Sequence, residues 1–131
     1  MGPLREVTVL VVDDDLDIRE VLMEILADSG YTSVAAADGR EALALLTEVR
    51  PHLILLDLNM PIMNGRQFRE AQRADPELRL IPTVIMTAVD RLTVQVADLG
   101  ADGALPKPVR LHELLSLVAR YSGSATAAAA R

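Results

Sequence analysis

The chain has 131 residues, 50% of them hydrophobic, with no cysteine and a net charge of −6. That supplies one domain with a real core and too little for two. An acidic balance without a basic stretch gives no electrostatic reason to expect nucleic-acid binding. The lack of cysteine excludes disulfides and thiolate metal sites. No run reaches the roughly 18 apolar residues of a membrane span, and the N-terminus lacks the apolar stretch of a signal peptide, so a cytoplasmic protein with no membrane partner is expected. Aromatic residues are only 2%, so the core must be aliphatic.

In chain order, residues 1–5 read as an N-terminal extension and Val7–Val12 as the first strand. Residues 16–29 carry Leu16, Val21, Leu22, Ile25 and Leu26 at helical spacing, with Gly30 where a C-cap belongs. Thr32–Ala36 is a short strand. Asp38 reads as the N-cap of a helix over 40–49, with Glu41 three residues on resembling a capping box. Pro51 ends that helix, and His52–Leu56 is the most apolar strand. Gly65–Ala74 is a helix stopped by Asp75-Pro76, and Pro82–Met86 is a fourth strand. A weak helix over 93–99 precedes Gly100, a very short strand fits 103–106, and Leu111–Tyr121 presents Leu111, Leu114, Leu115 and Val118 on one helical face. The Ala/Ser-rich residues 122–131 read as a flexible tail or the start of a linker.

Strand and helix thus alternate five times, which predicts a doubly wound α/β parallel sheet with right-handed crossovers. Four of the apolar runs stop at residues with chemistry: at Asp13-Asp14-Asp15, at Asp57, at Thr87 and at Lys107. In open parallel sheets, sites form beyond the carboxyl ends of the strands. Carboxylates gathered there repel by about 4 kcal/mol per pair at an effective dielectric near 20, so they must bind protons or recruit a cation. Hard oxygen ligands without sulfur suit Mg2+, and Lys107 is the other counter-charge. An Asp carboxylate beside a divalent ion and a lysine is a credible nucleophile toward phosphorus. Asp15 and Asp17 are better read as capping or solvated carboxylates at a helix start.

Residues 6–121 resemble the receiver domain of two-component response regulators. The resemblance rests on Val11-Val12-Asp13-Asp14, on Leu55-Leu56-Asp57-Leu58-Asn59-Met60-Pro61 with Asn64-Gly65, on Met86-Thr87-Ala88, on Gly100-Ala101-Asp102-Gly103 and on Lys107-Pro108. It implies a flavodoxin-like (βα)5 fold with strand order 2-1-3-4-5. It implies that Asp57 accepts a phosphoryl group from a histidine kinase or histidine phosphotransfer protein. Asp14 then resembles the direct Mg2+ ligand, Asp13 the ligand acting through water, and Asn59 the donor of a backbone carbonyl to the metal. Thr87 and Lys107 would each meet a phosphoryl oxygen, the Lys107-Pro108 bond would be cis, and Met60-Pro61 with Gly65 would form the turn covering Asp57. The output is binding to a partner of unspecified identity, in an unspecified oligomeric state, and not metabolic turnover.

Three departures stand out. The position three before the lysine is usually Tyr or Phe in receivers, and that ring moves with the threonine; here it is Ala104, so that coupling cannot operate. Thr87 and Gly100 are 13 positions apart, a shortened connection, and Leu92-Thr93-Val94-Gln95-Val96 alternates like a strand. A fourth helix that is short, shifted or partly unwound is therefore expected. Val89 offers no polar group to orient an attacking water, which predicts slow loss of the phosphoryl group. His52 is expected to face solvent.

The chain length leaves no room for a DNA-binding output domain, so a stand-alone receiver or one excised from a longer protein is expected. The competing reading is a receiver-like interaction module that signals without phosphate. Asp13-x-Asp15 also superficially resembles the nucleophile motif of haloacid-dehalogenase phosphatases, but Lys107 is followed by Pro108-Val109-Arg110 and not by an acidic pair.

Overall fold

The computed structural model describes residues 4–88 and 92–129. Five strands and five helices alternate: β1 (Arg5–Val12), α1 (Leu16–Asp28), β2 (Ser33–Ala36), α2 (Gly39–Leu45), β3 (Val49–Asp57), α3 (Gly65–Ala74), β4 (Thr83–Ala88), α4 (Leu92–Leu99), β5 (Gly103–Lys107) and α5 (Leu111–Ala129). A 3-10 turn at Leu78–Leu80 joins α3 to β4. The sheet order is β2-β1-β3-β4-β5, with every neighbouring pair parallel. This is the doubly wound parallel sheet that the alternation predicts, in the flavodoxin-like order that the resemblance implies.

Both faces of the sheet are covered, which is why its strands are apolar runs and not alternating ones. Successive side chains still point to opposite faces. Val9 and Val11 of β1, with Leu53, Leu55, Val84, Met86 and Leu105, pack against Leu22 and Leu26 of α1 and Leu114 and Val118 of α5. Leu10 and Val12, with Ile54 and Leu56, pack against Ala42 of α2, Leu46 just beyond it and Phe68 of α3. The one phenylalanine is fully buried there.

α4 is held differently. Among the described residues, its own Leu99 packs with Leu58 and Ile85 in a small cluster. Its carboxyl end is gripped by α3: Arg69 donates through Nε to the Leu99 carbonyl (3.1 Å) and through Nη2 to the Gly100 carbonyl (2.6 Å). Arg69 Nη1 also donates to Gln72 Oε1 (2.8 Å), and Gln72 Nε2 reaches the carbonyls of Leu78 and Ile81 and the Thr83 hydroxyl. Burial pulls the Arg69 pKa down, helped by the neighbouring charge of Arg73, and Asp102 offsets this only in part.

Helix ends follow the sequence closely. Asp15 caps α1 by accepting from the amides of Asp17 and Ile18. Gly30 and Gly100 both adopt left-handed φ, and each closes its helix with paired bonds: Gly30 N–H to Ala27 and Tyr31 N–H to Leu26, Gly100 N–H to Ala97 and Ala101 N–H to Val96. These are Schellman ends, where a Cβ would be penalised. Asp38 caps α2 through the Glu41 amide, but Glu41 reaches back to the amide of Ala37 instead of completing the box on Asp38. Asn64 and Gln67 of α3 do form a reciprocal box.

Several expected boundaries are corrected. α2 ends at Leu45 rather than residue 49, and β3 begins at Val49 rather than His52, because Val49, Arg50 and Pro51 pair with Arg5, Glu6 and Val7. Pro51 is tolerated because pairing of β3 with β4 starts only at Ile54, leaving this stretch with a neighbour on one side. β1 likewise begins at Arg5, inside the expected extension. β4 runs on to Ala88 and β5 to Lys107, so Thr87 and Lys107 are the strands' own last residues or next to them. α4 is short, eight residues, but helical over 92–99; the strand-like alternation there gives way to helix, and no unwinding is present within that span. α5 continues beyond Tyr121 to Ala129, through the expected tail, in keeping with the high helix propensity of its alanines. Val89, Met1–Pro3 and Ala130-Arg131 lie outside the described residues.

Candidate functional site

The parallel register brings distant residues to one edge of the sheet. Asp13 follows the last residue of β1, Asp57 ends β3, Thr87 is next to last in β4 and Lys107 ends β5. Val12 pairs with Leu56, Asp57 with Met86, and Ala88 with Lys107. Asp13, Asp57 and Thr87 are buried, whereas Asp14 is exposed. Lys107 Nζ donates to Asp13 Oδ2 (3.0 Å) and to Asp57 Oδ1 (3.2 Å), bridging residues 94 and 50 positions away. Carboxylate oxygens of Asp13, Asp14 and Asp57 lie within 4.8 Å of one another. Asp57, Asn59, Thr87, Ala88 and Lys107 line an open cleft of about 360 Å³.

The electrostatics follow from three carboxylates and one ammonium. Burial raises the Asp57 pKa, and the adjacent Asp13 charge raises it further; Lys107 and the Asn59 N–H oppose this without cancelling it. Burial pulls Lys107 down, but its hydrogen bond to Asp13 and the charges of Asp57 and Asp13 outweigh that, so its pKa is raised. The site thus holds more negative charge than its lysine neutralises. Oxygen donors alone, clustered at this spacing, fit a hard divalent cation such as Mg2+.

The segment after Asp57 turns tightly over it. A Cβ on Gly65 would stand 2.5 Å from the Asp57 carbonyl oxygen and 2.7 Å from Leu58 Cα, so only glycine permits this approach. Gly65 N–H closes the turn on the Leu58 carbonyl. The Lys107-Pro108 peptide is cis.

All six expected site residues, Asp13, Asp14, Asp57, Asn59, Thr87 and Lys107, therefore converge on this edge. Asn59 is exposed in the cleft and turns its N–H toward Asp57. Two features escaped the sequence reading. Ile62 adopts φ 66° in a γ-turn closed by Met63 N–H on the Pro61 carbonyl, a strained conformation for a β-branched residue. No glycine or asparagine signals it. Arg19 donates from α1 to the Asp13 carbonyl (2.8 Å), and one arginine on a helix carries no sequence signal of that contact. His52 is half-buried beside Glu6, away from the site.

Residues 9–119 match the family model of the response regulator receiver domain. The chain belongs to the receiver domain family of response regulators. It is 42% identical over 113 residues to the response regulator MprA of Mycolicibacterium vanbaalenii, covering 84% of this chain and 48% of that protein. The chain thus spans about half the length of the curated relatives it matches. The chemotaxis protein CheY4 of Vibrio cholerae superposes with a TM-score of 0.77 at 34% identity, covering 91% of this chain and 99% of that one. The receiver domain of a sensor histidine kinase from Pseudomonas aeruginosa, with a magnesium ion coordinated in its active-site cleft, superposes with a TM-score of 0.80 at 27% identity over 93% of this receiver and all (100%) of that one. Among the described residues, no helix is long and apolar enough to cross a membrane.

Proposed function

We propose that this receiver accepts a phosphoryl group on Asp57 from a phosphohistidine of a histidine kinase or histidine phosphotransfer protein. The observation that carries the reading is Lys107 bridging Asp13 and Asp57 at the floor of an open acidic cleft. An oxygen of Asp57 attacks phosphorus in line, the P–N bond breaks, and the imidazole nitrogen leaves and takes up a proton. Lys107 then moves its charge onto a phosphoryl oxygen, and the Thr87 hydroxyl donates to another. Asp13, Asp14, Asp57 and the carbonyl of Asn59 would hold Mg2+, which supplies charge neutralisation for the transferring oxygens. Catalysis is confined to this self-phosphotransfer and its reversal by water, and Val89 makes that loss slow.

The donor's approach is supported by an apolar groove of about 260 Å³ beside the cleft, lined by Ile18, Val21, Leu22, Ile25, Pro108 and Val109. Of its lining, Val21 and Leu111 stand exposed. A cytoplasmic location follows from such a donor.

Phosphorylation replaces the single charge of the Asp57 carboxylate by a phosphoryl group carrying about −1.5 to −2 charges and several acceptor oxygens. Ala104 pairs with Ile85 in β5 and has no ring to follow Thr87, so the response must leave by a different route, into binding of an output partner. The same Ala104 favours a second reading, an interaction module that works without phosphate. Incubation with Mg2+ and a small phosphodonor separates the two. Wild type gains the mass of one phosphoryl group and Asp57→Ala gains none; no gain by wild type would decide for the second reading. A phosphoryl half-life of seconds would count against the role given to Val89.

A further inference from the structure

Every polar backbone and side-chain atom of Asp13 is held. Its N–H donates to the Ala36 carbonyl, Oδ1 accepts from the Asp15 amide (2.9 Å), Oδ2 accepts from Lys107, and its carbonyl accepts from Arg19 Nη1 (2.8 Å). Asp14 is the opposite case: exposed, with no hydrogen-bonding partner for its carboxylate among the described residues. Its position over the cleft is set by the backbone on either side. The Arg19 side chain holds the near side, its guanidinium donating to the Asp13 carbonyl, while the Asp15 carbonyl takes the ordinary helical bond from the Arg19 N–H.

Helix stability does not explain a half-buried arginine placed this way. Cations near a helix N-terminus face the positive end of the macrodipole. Helical side chains do lean toward the N-terminus, which brings Arg19 back over the first turn of α1 to the acidic loop. The charge of Arg19 also stands near a site that should attract a cation, which by itself weakens cation binding. A side chain that is unfavourable in both respects and yet bonds the carbonyl immediately before Asp14 acts through geometry.

We propose that Arg19 is a positioning residue for the metal-binding turn, holding Asp13-Asp14-Asp15 so that the Asp14 carboxylate faces the cation. The proposal rests on the phosphoryl-site reading above and deepens it. The two accounts of Arg19 predict opposite signs. If it only contributes charge, its removal tightens Mg2+ binding; if it positions the turn, its removal weakens it.

The test is calorimetric titration of the full chain with Mg2+ alone, without phosphodonor, for wild type, Arg19→Met and Arg19→Lys. Metal-free thermal melts are recorded beside it. Arg19→Met should bind about tenfold more weakly, as loss of an outer partner does in other metal sites, with little change in metal-free Tm. Arg19→Lys, which keeps a donor and the charge, should fall between the two. Unchanged or tighter binding by Arg19→Met overturns the proposal, as does a loss matched by collapse of the metal-free melt. A wild type that binds no Mg2+ sinks the phosphoryl-site reading along with it, whereas normal wild-type binding that Arg19→Met shares sinks the proposal alone.

Discussion

The α1/α5 face of the sheet and the carboxyl end of α4 are held by different physics. On the α1/α5 side, Leu22, Leu26, Leu114 and Val118 join seven strand residues in one continuous aliphatic cluster. At the carboxyl end of α4, by contrast, a buried arginine backed by a buried glutamine and a buried threonine grips the helix, and among the described residues only Leu58, Ile85 and α4's own Leu99 form the apolar cluster there. Apolar packing is non-directional and roughly proportional to area, so it tolerates change of shape when volume is kept. A buried polar cluster is directional, and removing one member leaves the others unpaired. The same layered architecture therefore has a forgiving region and an exacting one.

The largest effects should come from truncation in either region. Leu114→Ala should cost about 2–5 kcal/mol, through lost transfer energy and the cavity left behind. Arg69→Ala should cost about 2–4 kcal/mol, because the Gly100 carbonyl loses its arginine, the Leu99 carbonyl keeps only the long bond from Arg73 and Gln72 Oε1 keeps only the Thr83 hydroxyl. Conservative changes then separate the two. Leu114→Met should cost less than about 1.5 kcal/mol. Arg69→Lys should cost nearly as much as Arg69→Ala, since an ammonium cannot reproduce a planar fork with three partners. Urea unfolding of the four variants checks this; equal tolerance in both regions would break the comparison.

Apart from both regions lies the site, where charge governs. Asp57 has a pKa raised above 3.8, so its ionised form costs folding free energy. The cost is absent below the unfolded value, where both states hold the proton. It grows as pH rises from 3.8 toward the folded value and is complete above that. Metal-free Asp57→Asn should therefore melt a few degrees higher than wild type at pH 7, and the gap should close as the solution is acidified through that window. A gap that persists at low pH would place its origin in packing.

The smallest effect is expected at the exposed ion pair between Arg66 of α3 and Asp98 of α4 (2.9 Å). Arg66→Ala should change stability by less than about 1 kcal/mol and lose even that in high salt. A larger loss would mean that the grip on α4 extends out to its surface.

The alternation of strands and helices and the convergence of Asp13, Asp57, Thr87 and Lys107 were legible because short apolar runs and helical periodicity are local signals, whereas the strand order came from the family resemblance. Element ends were less legible where pairing overrode propensity, as at Val49–Pro51, which reads as the end of a helix until Arg5–Val7 is laid beside it. The clamp of Arg69 was invisible for a related reason. Arg66, Arg69, Gln72 and Arg73 read as the polar face of a surface helix, and only the placement of α4 turns part of that face inward. Ile62 carried no signal either, since its left-handed φ is imposed by the turn over Asp57 and not by its own preference.

By itself, the sequence determined which residues are chemically able to act and which edge of the sheet they occupy, because strand ends and helix caps are written in nearest neighbours. Tertiary structure decided what those residues do to one another. Only the parallel register places Lys107 within 3.2 Å of Asp57, only burial and the neighbouring Asp13 charge raise the Asp57 pKa, and only the return of α1 over its own first turn brings Arg19 to Asp13. Each of these is a contact between groups far apart in the chain or turned back upon it, and such contacts exist only once the core has chosen which faces meet.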